Sequence, residues 1–112
     1  MMKNALVILA GGKGKRFGQK IPKQFLKIGN TNFLNYLISN LDLSNFDIIN
    51  ISIDKKYQNT YFNHKAVSEK IKITYSKPGL TRQISSFNAL KNLKKFKIKN
   101  VLIHDAARPL CS

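Results

Sequence analysis

Four short apolar runs alternate along the chain with segments of mixed polarity. The runs cover residues 6–9, 47–53, 71–75 and 100–104, and the first, LVIL, has no polar interruption. A continuous apolar run such as residues 6–9 is typical of a strand buried on both faces of a parallel sheet, and the other three runs are also typical of strands. The pattern therefore predicts four strands in one mostly parallel sheet.

Apolar residues at helical spacing separate these strands. After a short extended piece at residues 25–29, Thr31 or Asn32 can cap a helix. Its apolar residues fall on one face, namely Phe33, Leu34, Leu37, Ile38 and Leu41. Residues 55–69 are predicted to be helical in part, and residues 77–80 to form a turn. A second amphipathic helix follows Thr81, with Ile84, Phe87, Leu90 and Leu93 on one side. Strands that alternate with helices indicate an α/β fold with helices flanking the sheet.

A glycine-rich loop follows the first strand. Residues 10–14 read AGGKG, and Arg16, Lys20 and Lys23 come soon afterwards. Exposed backbone N–H groups beside cations bind phosphate oxygens. The P-loop pattern is absent, because no Gly-Lys-Ser or Gly-Lys-Thr occurs. The dinucleotide pattern also fails, because Phe17 replaces its third glycine and no acidic residue follows at the required distance. The loop therefore indicates an anion-binding site of another kind.

Residues that can bind an anionic ligand or a metal ion follow three of the predicted strands. They occupy the loops 10–23, 79–85 and 105–108. Ligands of parallel sheets bind outside the carboxyl ends of the strands, so we expect these loops to form one site. Asp105 at a strand end can hold Mg²⁺ together with substrate phosphates. The alternative for Asp105 is a cap or an ion pair with Arg108.

Composition narrows the class of protein further. The 112 residues support a single domain with a formal net charge of +15. The lysines are spread along the whole chain and no nucleic-acid motif accompanies them, so we expect small anionic substrates rather than nucleic acid. No apolar run approaches the ~18 residues of a membrane span, so no membrane partner is expected. A single cysteine, Cys111, cannot form an internal disulfide, which favours a cytoplasmic location.

Three segments together carry a family resemblance. They read AGGKGKRFG with IPKQFL, then GLTRQISSFNAL, and finally VLIHDAARP. In this order they resemble the 2-C-methyl-D-erythritol 4-phosphate cytidylyltransferases. The resemblance implies a Rossmann-like, GT-A-like nucleotidyltransferase fold. It also implies Mg²⁺-dependent transfer of CMP from CTP to methylerythritol phosphate, which yields CDP-methylerythritol and pyrophosphate in the non-mevalonate isoprenoid pathway.

The resemblance also assigns roles to individual residues. Arg16 and Lys23 would be catalytic, because they would stabilise negative charge on the triphosphate. Asp105 would bind the metal and lie near the ribose, and Arg82 would organise its loop. The nucleotide-binding residues as a set would be Ala10, Gly11, Gly12, Gly14, Gly79, Arg82, Ser85 and Asp105. Gly11 stands where the family more often has alanine, an exchange that we expect to be tolerated.

Length is the main departure from the family. The family's domain is longer, so residues 1–112 are expected to be the amino-terminal, nucleotide-binding portion of one cytidylyltransferase domain, incomplete at the carboxyl end and inactive alone. The complete enzyme is expected to be a homodimer. Ribitol-5-phosphate cytidylyltransferases share the first motif and a similar third one, so ribitol phosphate is the alternative acceptor. A non-enzymatic module that binds nucleotides or nucleic acid is the alternative class of function.

Overall fold

A computed structural model describes residues 4–11, 22–63, 65, 67 and 70–106 of the chain. The strands in these ranges are β1 (Asn4–Leu9), β2 (Lys27–Ile28), β3 (Thr31–Asn32), β4 (Ile48–Ser52), β5 (Lys72–Ser76) and β6 (Asn100–Asp105). The helices are α1 (Phe33–Asn40), α2 (Lys55–Tyr61) and α3 (Arg82–Leu93), with short 3-10 turns at Lys23–Phe25 and Lys94–Phe96. All four predicted strands are confirmed, and residues 55–69 are helical in part, as expected.

The four long strands form one parallel sheet in the order β5-β4-β1-β6. Their carboxyl ends are level, because Leu9 pairs with Ser52 on one side and with Asp105 on the other. Ser52 in turn pairs with Ser76 of β5. The short strands β2 and β3 form a separate antiparallel hairpin, whose turn contains Gly29 at a positive φ of 56°. The fold is therefore the predicted mostly parallel sheet with flanking helices.

Two hydrophobic clusters cover the two faces of the sheet around β1 and β4, whereas Val101 and Leu102 of the edge strand β6 are exposed. Side chains alternate between the faces along a strand, so Leu6 and Ile8 join one cluster while Val7 and Leu9 join the other. The first cluster packs against α1 and α2, and the second against α3. β1 is buried by both layers, which is the reason for its uninterrupted apolar run. None of the helices within the described ranges is long and apolar enough to span a bilayer.

Helix α1 largely follows the prediction from its spacing. Asn32 caps it, because its side-chain oxygen accepts a hydrogen bond of 2.9 Å from the Asn35 N–H. Leu34, Leu37 and Ile38 are buried. Phe33 is exposed, so its predicted place on the buried face is wrong. Phe33 is the first helical residue and lies at the margin of the apolar stripe.

The predicted buried face of α3 is wrong. Ile84, Phe87 and Leu90 are 45%, 64% and 43% exposed, and of the predicted residues Leu93 alone is buried. The helix instead buries Ser85, Ala89 and Leu93, which recur at intervals of four residues. Small side chains at the first two positions let α3 pack close to the sheet, where Ala89 and Leu93 meet Val7, Leu9 and Ile48.

A polar network also holds α3 on this face. The buried Asn50 of β4 donates a hydrogen bond of 3.2 Å to the side-chain oxygen of Asn92 and one of 3.0 Å to Thr74 Oγ1. Ser76 Oγ donates to Asn50 Oδ1 at 2.9 Å. A buried amide is costly without its hydrogen bonds, so the network favours one position of α3 on the sheet. Apolar periodicity does not detect this contribution.

Candidate functional site

A cavity of about 460 Å³ opens at the carboxyl edge of the sheet. Five residues predicted from the sequence line it, namely Gly11, Gly79, Arg82, Ser85 and Asp105. They come from three segments that are distant in the chain. The expectation that the three loops converge is therefore met for the part of each loop that the structure describes.

The strand order explains why the cavity lies here. From β1 the chain passes to β4 and then to β5 on one side, and α3 carries it back to β6 on the other side of β1. A parallel sheet leaves a crevice where its strand order reverses in this way. Backbone hydrogen bonds hold its floor together, since Ala10 N–H donates to the Ser52 carbonyl at 2.8 Å and Ala106 N–H to the Leu9 carbonyl at 3.0 Å.

The start of α3 forms one wall of the cavity. Thr81 caps the helix by accepting a hydrogen bond of 3.2 Å from the Ile84 N–H. Ser85 is buried, and its hydroxyl oxygen accepts a hydrogen bond of 2.9 Å from the Gly79 N–H. A Cβ at residue 79 would lie 2.1 Å from Ile84 Cγ2, so only glycine fits there without displacement. The backbone of Gly79 is thus held against α3 by the Ser85 hydrogen bond and by its contact with Ile84.

Gly11 of the first loop packs directly against the loop that follows β5. A Cβ at residue 11 would lie 2.1 Å from Pro78 Cβ and 2.6 Å from Pro78 Cγ. Glycine is therefore required here while proline occupies residue 78.

The segment around Lys23 is anchored by its neighbours. Pro22, Gln24 and Phe25 are buried, while Lys23 itself is exposed. The Phe25 ring lies 5.0 Å from the ring of Tyr57 and 5.0 Å from that of Tyr61, both on α2. Among the described residues, Lys23 is not part of the cavity lining. The anchors hold its backbone close to the end of β1.

Gln24 joins this segment to the first loop. Its Nε2 donates a buried hydrogen bond of 3.0 Å to the Ala10 carbonyl. Ala10 is itself buried, and both its backbone groups are used, so among the described residues it supports the cavity from beneath rather than lining it. The site prediction omitted Gln24, although the Pro-Lys-Gln motif was a signal that could have revealed it.

Asp54 is a second residue that the site prediction omitted. It follows β4 and lines the cavity together with Lys77 and Asp105. Its signal in the sequence was the one used for Asp105, an acidic residue directly after a predicted strand. The cavity therefore carries both positive and negative side chains. Three predicted site residues, Gly12, Gly14 and Arg16, lie outside the described residues, as do Arg108 and Cys111.

Known proteins provide an independent comparison. The model of the 2-C-methyl-D-erythritol 4-phosphate cytidylyltransferase family, IspD, matches residues 4–112. The chain belongs to this family. It is 39% identical over 107 residues to the cytidylyltransferase of that name from Thermotoga neapolitana. The aligned region covers 95% of this chain and 47% of that protein. The chain is 38% identical over 109 residues to a bifunctional enzyme IspD/IspF from Pelagibacter ubique. That aligned region covers 96% of this chain and 28% of the bifunctional enzyme.

Solved structures agree on the fold. The 4-diphosphocytidyl-2C-methyl-D-erythritol synthase of Anaerococcus prevotii superposes with a TM-score of 0.65 at 23% identity, over 99% of this chain and 46% of that chain. Rv0371c from Mycobacterium tuberculosis gives a TM-score of 0.62 at 14% identity, over 99% of this chain and 55% of that chain. The predicted Rossmann-like nucleotidyltransferase fold is confirmed. This chain spans about half the length of the single-function cytidylyltransferases that it matches.

Proposed function

We propose that this chain provides the nucleotide-binding portion of a single-domain cytidylyltransferase that transfers CMP from CTP to 2-C-methyl-D-erythritol 4-phosphate. The products are CDP-methylerythritol and pyrophosphate, in the non-mevalonate route to isoprenoids. One observation carries the proposal: the described parts of the three family motifs, represented by Gly11, by Gly79 with Ser85, and by Asp105, line one cavity. The proposed setting is the cytoplasm, and the proposed assembly of the complete enzyme is a homodimer.

The reaction requires no protein nucleophile. A phosphate oxygen of the acceptor attacks the α-phosphorus of CTP, a new P–O bond forms, and the bond to the pyrophosphate group breaks. The protein accelerates this step by holding both substrates in line and by stabilising the charge that develops on the phosphates. In this proposal Arg16 and Lys23 supply that stabilisation, and the exposure of Lys23 leaves its ammonium group accessible to a substrate.

The base is proposed to lie at the wall formed by Gly79 and Ser85. Ser85 Oγ already accepts from the Gly79 N–H, so its own hydroxyl hydrogen can be donated to a ligand. Gly11 packs against Pro78, and both residues line the cavity beside this wall. Arg82, one turn earlier on α3, lines the cavity close to this wall.

Asp105 is proposed to hold Mg²⁺. Asp105 brings a carboxylate to the cavity. Proteins commonly bind Mg²⁺ through one or two carboxylates together with substrate phosphates and water, so a single carboxylate beside a bound triphosphate fits this ion. Bound in this way, the ion would neutralise negative charge on the triphosphate. Asp105 would orient it from the end of β6.

Nucleotide binding tests the first part of the proposal. The purified protein should bind CTP saturably by calorimetry, and binding should strengthen with Mg²⁺. A non-enzymatic nucleic-acid module would instead bind any polynucleotide, with an affinity that falls steeply with salt and shows no preference for CTP. Such a result would contradict the proposal. When CTP and methylerythritol phosphate are both added, the 112-residue chain by itself should release no pyrophosphate. The same protein preparation can test this prediction.

A turnover assay tests which sugar-alcohol phosphate accepts the CMP group. A chimera that continues this chain with the remaining part of the Thermotoga neapolitana relative should release pyrophosphate when CTP and methylerythritol phosphate are both present. Mass spectrometry should identify CDP-methylerythritol. Ribitol 5-phosphate serves as the matched alternative acceptor. Turnover with ribitol 5-phosphate and not with methylerythritol phosphate would overturn the proposed acceptor.

A further inference from the structure

Asp54 lies at the cavity, and its side chain has no structural task within the described ranges. Its backbone carbonyl accepts hydrogen bonds of 3.0 and 2.9 Å from the N–H groups of Tyr57 and Gln58, which begin α2. Its side chain makes no capping hydrogen bond. Within the described part of the chain, the carboxylate has no hydrogen bond or ion pair of any kind. The backbone of Asp54 is therefore fixed, while its half-buried side chain lines the cavity and is available to a ligand.

The position of Asp54 in the sheet places it away from the proposed metal. Asp54 follows β4 and Asp105 ends β6, and β1 lies between these two strands. Neighbouring strands are about 4.8 Å apart, so the two strands are separated by roughly 10 Å. On its other side β4 pairs with β5, whose following loop carries Gly79. Asp54 is thus on the base side of the cavity and Asp105 on the metal side.

A carboxylate at this place restricts what can bind beside it. It accepts hydrogen bonds and repels phosphate oxygens, so a hydrogen-bond donor such as an amino group is a favourable neighbour in the complex. Cytosine presents an amino group at N4, whereas uracil presents a carbonyl oxygen at the same position. Aspartate and glutamate accept from cytosine N4 in nucleic-acid recognition for this reason. Resting on the proposed CTP site, we propose that the Asp54 carboxylate selects cytosine over uracil by accepting a hydrogen bond from the N4 amino group.

Asp54→Asn tests this selection. The exchange keeps the shape of the side chain, but the amide can turn to donate to O4 of uracil as readily as it accepts from N4 of cytosine. Hydrogen bonds to charged groups are strong enough that the ratio of UTP to CTP dissociation constants should fall about tenfold or more. Removing a negative charge raises the affinity for every nucleotide triphosphate, so the ratio, and not either constant alone, is the measurement.

Asp42→Asn is the matched control. It removes the same charge from an exposed residue whose carboxylate bonds only to Ser44 in the described chain, and it does not line the cavity. The control should leave the UTP to CTP ratio unchanged. Circular dichroism should show that each variant is folded. If Asp54→Asn does not fold, Asp54→Ser takes its place, because a hydroxyl also accepts and donates and should lower the ratio in the same way.

The outcomes separate this inference from the proposed function. Loss of the CTP preference in the Asp54 variant, with retention in the Asp42 variant, supports the role of Asp54. An unchanged ratio overturns it, and so does a change in the ratio of CTP to dCTP binding instead, which would place the ribose beside Asp54. A wild-type protein that binds CTP and UTP equally overturns base selection while leaving the nucleotide site in place. A wild-type protein that binds no CTP overturns the proposed function itself.

Discussion

Replacing Gln24 should weaken both the fold and the proposed site. The side chain is 2% exposed, and its Nε2 donates to the Ala10 carbonyl at 3.0 Å. Gln24→Ala removes the donor and leaves that carbonyl buried without it, a loss of about 1–3 kcal/mol before any loss of packing. For a chain of 112 residues this corresponds to a fall of roughly 4–12 °C in Tm. CTP affinity should fall as well, because Lys23 is the adjacent residue.

Gln24→Glu separates the hydrogen bond from the packing. The exchange keeps the volume, but a carboxyl group can donate to the Ala10 carbonyl only when it is protonated. Burial beside that carbonyl should therefore raise the pKa of the introduced carboxyl group above its ordinary value of about 4.3. A raised folded-state pKa contributes stability below the unfolded pKa and loses it as pH rises. The variant should thus be close to wild type near pH 4 and much less stable at pH 7.

Thermal melts monitored by circular dichroism between pH 4 and 8 measure both effects. Gln83→Glu is the control, because residue 83 is exposed and an added negative charge on a chain of net charge +15 should not destabilise it. A Gln24→Ala variant that melts within about 1 °C of wild type would refute the reasoning. A Gln24→Glu variant whose stability does not change with pH relative to the control would show that the amide donor does not matter.

The remaining predictions concern the loops around the cavity. In the active chimera, Arg16→Ala and Lys23→Ala should each lower kcat by roughly a hundredfold or more, the effect of losing one preorganised donor, and near-normal turnover would remove that residue from the catalytic set. Asp105→Asn should raise the Mg²⁺ concentration needed for half-maximal turnover while the Tm stays unchanged; a sharp fall in Tm with an unaltered Mg²⁺ requirement would indicate a structural cap instead. Gly11→Ala should weaken CTP binding, and Pro78→Gly in the same chain should restore it, because the clash is with the proline ring; failure of the second exchange to restore binding would argue against the contact.

Local pattern was sufficient for the order of the four strands of the main sheet and the helices between them, and for the loops that line the cavity. A strand buried on both faces is mostly apolar, so the uninterrupted run at residues 6–9 predicts the central strand of a parallel sheet, and the alternation of strands with helices predicts the rest of that sheet. In such a sheet all carboxyl ends lie at one edge. Gly11, Gly79 and Asp105 were therefore expected to meet, and they line one cavity. These features depend on sequence neighbours and on a general rule of topology, and both can be read from the sequence.

Tertiary structure decided which side of α3 is buried, and it showed which contacts Gln24 and Asp54 make around the cavity. Helical spacing indicated Ile84, Phe87 and Leu90, yet the sheet accepts the side with Ser85 and Ala89, because small side chains allow the close approach and Asn92 meets Asn50. Gln24 and Asp54 both meet segments that are distant in the chain. Gln24 bonds to Ala10 at the end of β1, and Asp54 lines the cavity with residues that follow β5. A hydrogen bond to a carbonyl 14 residues away leaves no periodic trace in a sequence. Such contacts depend on the distances between packed elements, and the fold alone sets those distances.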